Sequence, residues 1–194
     1  MPRLTHNADT SQRILDIAER LMQTRGYNAF SYADIAQSLR VTKASLHYHF
    51  PTKGELGQRL IQRYRQAFMR ALADIDASGA DSLERLRRYG GLYLQVLRND
   101  RMCLCGMLAA EYTTLPKPMK AELKEFFDEN ERWLMAVLEQ GRAARELRFG
   151  GTARDVARHL MSSLEGAMML ARSYDDVARF EATANRLLAE LAVK

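Results

Sequence analysis

Residues 47–49 read His-Tyr-His, in a chain that holds only four histidines. Two imidazoles one residue apart can chelate a metal, act as general bases or face another molecule, and the backbone beneath them decides which. On a strand, alternate residues share a face, and both rings could grip one ion. On a helix, successive side chains are rotated by about 100°, so His47 and His49 diverge by about 200°. Thr42 as N-cap, Pro51 as a stop and the i, i+4 apolar pair Leu46/Phe50 all favour a helix. That geometry argues against a shared metal, and neither a metal nor another cofactor is expected.

Cys103 and Cys105 are the second chemically suggestive pair. Two cysteines are too few for a disulfide framework or a structural zinc site. At i, i+2 on a helix they diverge, which disfavours a bridge between them. Arg101 nearby would favour a thiolate, while the plainer reading is a pair of small buried hydrophobes. No nucleophile motif joins either cysteine to His159, so no enzyme is expected.

The elements that must hold these residues come from composition and periodicity. The chain has 194 residues, 47% of them hydrophobic and 27% charged, as expected of a soluble globular protein. No apolar run approaches the ~20 residues of a membrane span, and the polar start MPRLTHNADTS lacks a secretory core. A cytoplasmic location and no membrane partner are therefore expected. Of the net charge of +5, +3 lies in residues 1–54, through Arg3, Arg13, Arg20, Arg25, Arg40, Lys43 and Lys53 against Asp9, Asp16, Glu19 and Asp34. A basic N-terminal segment suits a polyanionic partner, and equally a solvated basic face.

Strand signals are nearly absent, and apolar spacing predicts an all-α chain of about nine helices. Asp9 or Thr10 can cap the first helix, which Gly26 can stop. Ser31-x-x-Asp34 and Thr52-x-x-Glu55 are capping boxes for the second and fourth, and Thr42 can cap the third. Later helices are expected at about 82–98, 103–112 and 119–145, then after Thr152-x-x-Asp155, and from about Asp175.

Two short helices, 31–39 and 43–50, joined by a tight turn have the proportions of a helix-turn-helix, and also of an ordinary helical corner. With Leu46 and Phe50 inward, Ala44 and Tyr48 point outward, flanked by Ser45 and His47, with Lys43 at the N-terminal end. Such a small, polar, ring-bearing face suits phosphates and base edges.

The segment ILDIAERLMQTRGYNAFSYADIAQSLRVTKASLHYHFPTKGEL resembles the N-terminal domain of TetR-family transcriptional regulators. Arg25-Gly26-Tyr27, Ser31, Val41-Thr42-Lys43, Leu46, His49-Phe50 and Lys53-x-x-Leu56 match its motif in order and spacing. The resemblance implies a DNA-binding domain at 8–68, with its helix-turn-helix at about 31–50. A helical-bundle domain for effector binding and dimerisation would occupy 69–194. It also implies a homodimeric repressor, joined through its last two helices and released from a palindromic double-stranded operator by a small-molecule effector. Carried over by position, Tyr32 and Lys53 would contact phosphates, and Thr42, Lys43, Ala44, Ser45, His47, Tyr48 and His49 would face the major groove. Two positions depart from the family: His47 stands where Tyr is usual, and Arg40 where the turn usually has Gly.

After about residue 70 the resemblance weakens. Tyr89, Tyr93, Cys103, Cys105, Met107, Tyr112, Phe127, Trp133, His159 and Met168 could line a mostly apolar effector cavity. The segment RMCLCGMLAAE, residues 101–111, resembles the electrophile-responsive subgroup of the family. That likeness makes a thiol sensor at Cys103 or Cys105 the alternative mechanism.

Overall fold

A computed structural model describes residues 3–193, with side chains from Thr10 onward. Met1, Pro2, Lys194 and the side chains of residues 3–9, among them Arg3 and Asp9 of the expectations above, lie outside the described residues. The helices are α1 (Arg3–Arg25), α2 (Tyr32–Leu39), α3 (Lys43–His49), α4 (Lys53–Ala77), α5 (Ser82–Arg98), α6 (Leu104–Ala110), α7 (Lys117–Ala143), α8 (Ala153–Ser173) and α9 (Val177–Ala189). A single-turn 3-10 helix (Tyr112–Thr114) links α6 to α7. The all-α reading holds. Among the described residues, the one β-type pairing is an isolated antiparallel bridge between Leu147 and Ala192.

Most helix starts are set by local chemistry. The Ser31 hydroxyl accepts from Ala33 N–H, and the Asp34 carboxylate accepts from Ser31 N–H at 2.8 Å, closing the predicted capping box. Thr42, Thr52 and Thr152 accept from Ser45, Glu55 and Asp155 N–H in turn. Each such cap contributes about 1 kcal/mol. Pro118 falls in the first turn of α7, where a missing N–H is harmless.

Two boundaries differ from expectation. Helix α1 begins at Arg3, so Asp9 and Thr10 lie inside it rather than at its N-cap position. No proline or glycine between Arg3 and Thr10 interrupts that helix, and polar residues weaken a helix interior only modestly. Helix α6 ends at Ala110, short of the expected 112, because Glu111 turns away to hold another segment.

The chain forms two compact units. The first comprises residues 1–65 and 104–124. Its core is built from Ile14, Ala18, Met22, Ile35, Leu46, Leu56, Leu60 and Ile61, all fully buried. Gly26 ends α1 at φ +87°, and a Cβ there would press on the Glu111 carboxylate at 3.0 Å, so both conformation and space call for glycine.

The second unit comprises residues 66–103 and 125–194. Helix α8 packs along α9, and α5 packs on both. Tyr89, Tyr93, Phe126, Leu134, Val137, Leu138, Met168 and Phe180 fill its core. Gly141 lets Leu147 and Ser82 close in, since a Cβ would lie 2.5 Å from Leu147 Cδ1 and 2.7 Å from Ser82 Cβ.

Candidate nucleic-acid interface and effector site

The connection between α2 and α3 is a tight turn. Arg40 adopts the left-handed conformation, φ 56° and ψ 42°, with its N–H directed at the last carbonyls of α2. Val41 N–H then donates to Ala36 O at 3.1 Å. An arginine is held where glycine is cheapest, at a cost of about 1 kcal/mol.

Helix α3 buries Leu46 completely and is closed by the buried Phe50. On the opposite side Thr42, Lys43, Ala44, His47 and Tyr48 are exposed, while Ser45 and His49 are half-buried. Tyr48 is 75% exposed, extreme for a large ring, and meets His49 edge-on at 5.4 Å. His47 Nδ1 lies 3.0 Å from Pro51 O. A carbonyl only accepts, so Nδ1 carries the proton in that contact and Nε2 of a neutral ring remains an acceptor. The same ring lies 4.8 Å from that of Tyr32.

Tyr32 and Lys53, both assigned to phosphates by position, are engaged within the first unit. Tyr32 is buried, and its hydroxyl donates to Phe50 O at 2.7 Å. Burial, then the charge of Glu55, push this phenol up to about 12. A phosphate contact by the hydroxyl would require that bond to open. Lys53 Nζ donates to Tyr27 O at 2.6 Å and to Phe30 O, and sits over both rings at 4.5 and 4.3 Å. Burial draws its pKa down, against the opposing pull of Glu111 and Asp34. Lys53 thus ties the α1–α2 connection to the start of α4. A shallow recess beside it is lined by Phe30, Ser31, Tyr32, Ala33, Lys43, His47 and Lys53.

Sequence reading missed Glu111 as a positioning residue. Its carboxylate accepts from Tyr27 N–H at 2.5 Å, Asn28 N–H at 3.2 Å and the Asn28 amide at 3.2 Å. The only signal was its place at the end of RMCLCGMLAAE.

In the second unit the structure gathers five of the ten residues expected at a cavity. Tyr89 and Tyr93 lie hydroxyl to hydroxyl at 3.0 Å, and Trp133 stacks on Tyr89 at 5.5 Å. Cys103 N–H donates to Met168 Sδ at 3.1 Å. Phe127 stands beside this group, against Phe126. His159 is exposed on α8. Cys105, Met107 and Tyr112 belong to the first unit, where Cys105 is fully buried and Tyr112 is exposed beneath Lys120. A small apolar cavity is lined by Leu86, Tyr89, Gly90, Leu134, Leu160, Leu164, Ala184, Leu187 and Leu188.

Residues that sequence reading passed over complete this cluster. Asn130 is fully buried, donates to Phe126 O at 2.8 Å and accepts from Tyr89 at 3.2 Å. Phe68 lies edge-on to Tyr89, Tyr93 and Phe126. Glu165 has both carboxylate oxygens buried with no N–H, hydroxyl or cationic partner, and the Cys103 thiol is the polar group that bears on it. Burial pushes it up to about 7, with the Cys103 thiol working in the opposite direction. A signal for Glu165 was available: it is an acid in an apolar stretch with no basic residue three or four positions away.

A capped helix-turn-helix with an exposed, polar third helix, carried with a separate helical unit, defines a DNA-binding transcriptional regulator. The family model for bacterial regulatory proteins of the tetR family matches residues 14–60, and that for the tetracyclin repressor-like C-terminal domain matches residues 82–187. The chain belongs to the TetR family. A crystal structure of a TetR-family regulator from Agrobacterium tumefaciens is 36% identical, with a TM-score of 0.94 over 96% of this chain and 100% of that one. A TetR regulator from Legionella pneumophila is 32% identical, with a TM-score of 0.86 over 94% and 97%. The HTH-type transcriptional repressor NemR of Escherichia coli K12 is 25% identical over 95% of this chain and 96% of its own. Among the described residues no helix is long and apolar enough to cross a membrane, and no cluster of three or more His, Cys, Asp or Glu could hold a metal.

Proposed function

We propose that this protein is a cytoplasmic, homodimeric repressor that leaves a palindromic operator when a small molecule occupies its second unit. Residues 8–68 act as the DNA-binding domain and residues 69–194 bind effector and partner. The observation that carries this reading is the exposed face of α3, where Tyr48 stands out of the fold at 75% exposure. Lys43 adds affinity through phosphate, while Ser45, His47 and Tyr48 read base edges and Ala44 suits a thymine methyl. Dimerisation through α8 and α9 is supported by Met169 and Leu170 near the end of α8 and Tyr174 just past it, large apolar residues left exposed. Two half-sites about one helical turn apart then face the two copies of α3.

The buried aromatic cluster favours a bound, non-covalent effector over thiol sensing. Cys103 and Cys105 are both buried, and a thiolate at Cys103 would face Glu165 in a dry site. Selection of bound duplexes from random sequence, followed by gel shifts with candidate effectors, tests the reading. A palindromic consensus released by a reversible ligand supports it. Release only by electrophiles, abolished in Cys103→Ser, would replace it with the thiol mechanism.

A further inference from the structure

Glu165 has no counterpart in what the fold requires. An ionised carboxylate taken out of water without partners costs several kcal/mol, and folded proteins seldom keep one without a use for it. A glutamine or leucine on α8 would avoid that cost.

The hydrogen-bond directions around it show what kind of partner is missing. Asn130 spends its amide N–H on Phe126 O, so its oxygen must be the acceptor toward Tyr89. Tyr89 therefore donates to Asn130, and Tyr93 must donate to Tyr89. Both phenol protons are spent. The surroundings are aromatic and weakly polar: Tyr89, Tyr93 and the Cys103 thiol interact electrostatically with Glu165, Phe68 packs edge-on to both tyrosines, and Met168 accepts from Cys103 N–H. The carboxylate is near enough for its charge to act on both phenols. Ring faces carry negative potential and attract cations, most strongly when desolvated.

We propose that the effector is an organic monocation, an amine or quaternary ammonium, whose charge pairs with Glu165 while its apolar substituents lie against Phe68, Tyr89 and Tyr93. This rests on reading the second unit as the effector-binding part. The cation supplies the counter-charge that Glu165 lacks, and the rings exclude water from the pair.

The test uses the full-length protein without DNA. Calorimetric titrations at pH 8 compare choline and benzyltrimethylammonium with neutral isosteres in which carbon replaces the nitrogen. Wild type binds the cations in preference to their isosteres. Glu165→Gln loses that preference, by about thirtyfold or more, whereas Glu165→Asp, which keeps the charge, retains it. In wild type, cation affinity falls about tenfold per pH unit below about pH 7 as Glu165 takes up its proton, and isostere affinity stays flat. Equal binding of cation and isostere, absence of cation binding, or a preference unchanged in Glu165→Gln overturns the proposal. Operator release is scored separately by gel shift. A cation that binds selectively but releases no DNA leaves this site standing and removes the effector reading.

Discussion

The Glu111 carboxylate accepts the backbone N–H of Tyr27 at 2.5 Å and so fastens the end of α6 to the loop that leads into the helix-turn-helix. A second bond from Asn28 N–H and a third from its amide make the attachment a clamp. The loop also receives Lys53 from the start of α4. One short connection is thereby held from two directions, by an acceptor on its N–H groups and a donor on its carbonyls.

Removing the clamp leaves two backbone donors to water. Glu111→Ala lowers unfolding free energy by about 2 kcal/mol in urea titrations, and Glu111→Gln, which keeps one acceptor, loses about half as much. It also weakens operator binding, because the loop that leads into α2 and α3 is no longer fixed. Unchanged stability in Glu111→Ala would mean that these bonds carry no net weight.

Lys43 and Lys53 separate by salt dependence. Lys43 is exposed, so Lys43→Ala reduces the slope of log affinity against log salt by about 0.9. Lys53 is committed to two carbonyls, so Lys53→Met lowers stability and weakens binding at every salt concentration, with a smaller change in slope. A full-unit fall in slope at unchanged stability would instead make Lys53 a phosphate ligand.

The strained turn gives a simpler test. Arg40→Gly relieves the left-handed arginine and raises thermal stability by about 1 kcal/mol. No gain, or a loss, would show that the arginine side chain offsets its backbone strain.

Glu165 sets a stability change of known sign. Its folded pKa of about 7 lies above the ordinary value of 4.5, so below pH 4.5 it is protonated in both states and costs nothing. Between pH 4.5 and 7 the unfolded chain has released the proton that the folded protein keeps, and stability falls as pH rises, by at most about 3 kcal/mol. Above pH 7 the penalty is constant. Asp34, Glu84 and Glu146 have lowered pKa values and act in the opposite sense, so the comparison must be between wild type and variant. The melting temperature of Glu165→Gln relative to wild type rises from pH 5 to pH 7 and then levels off. A pH-independent difference would show that the carboxyl is not held protonated by the fold.

What could be read from the chain follows from the range of each interaction. Ser31, Thr42, Thr52 and Thr152 cap helices within three residues of themselves, and Gly26 ends α1 at its own φ, so their roles were legible in sequence. The outward face of α3 was legible too, since Leu46 and Phe50 fix the rotation of one short helix. Glu111 acts across more than eighty residues, and Lys53 turns inward to carbonyls of a loop well before it, which no local pattern encodes. The aromatic cluster was only half legible. Tyr89, Tyr93 and Trp133 announce themselves by type, but Asn130 and Glu165 matter because of what surrounds them. His159 and Tyr112, grouped with the cluster by type alone, are exposed.

The central claim is that α3 reads DNA, and a selection of duplexes from random sequence with wild type and with Tyr48→Ala and His47→Ala tests it most directly. Wild type should enrich a palindrome with half-sites about one helical turn apart, and each variant should relax the preference at one or two symmetric positions, by about 1–3 kcal/mol per base pair. No enrichment by wild type, or an identical consensus and affinity from both variants, would contradict it.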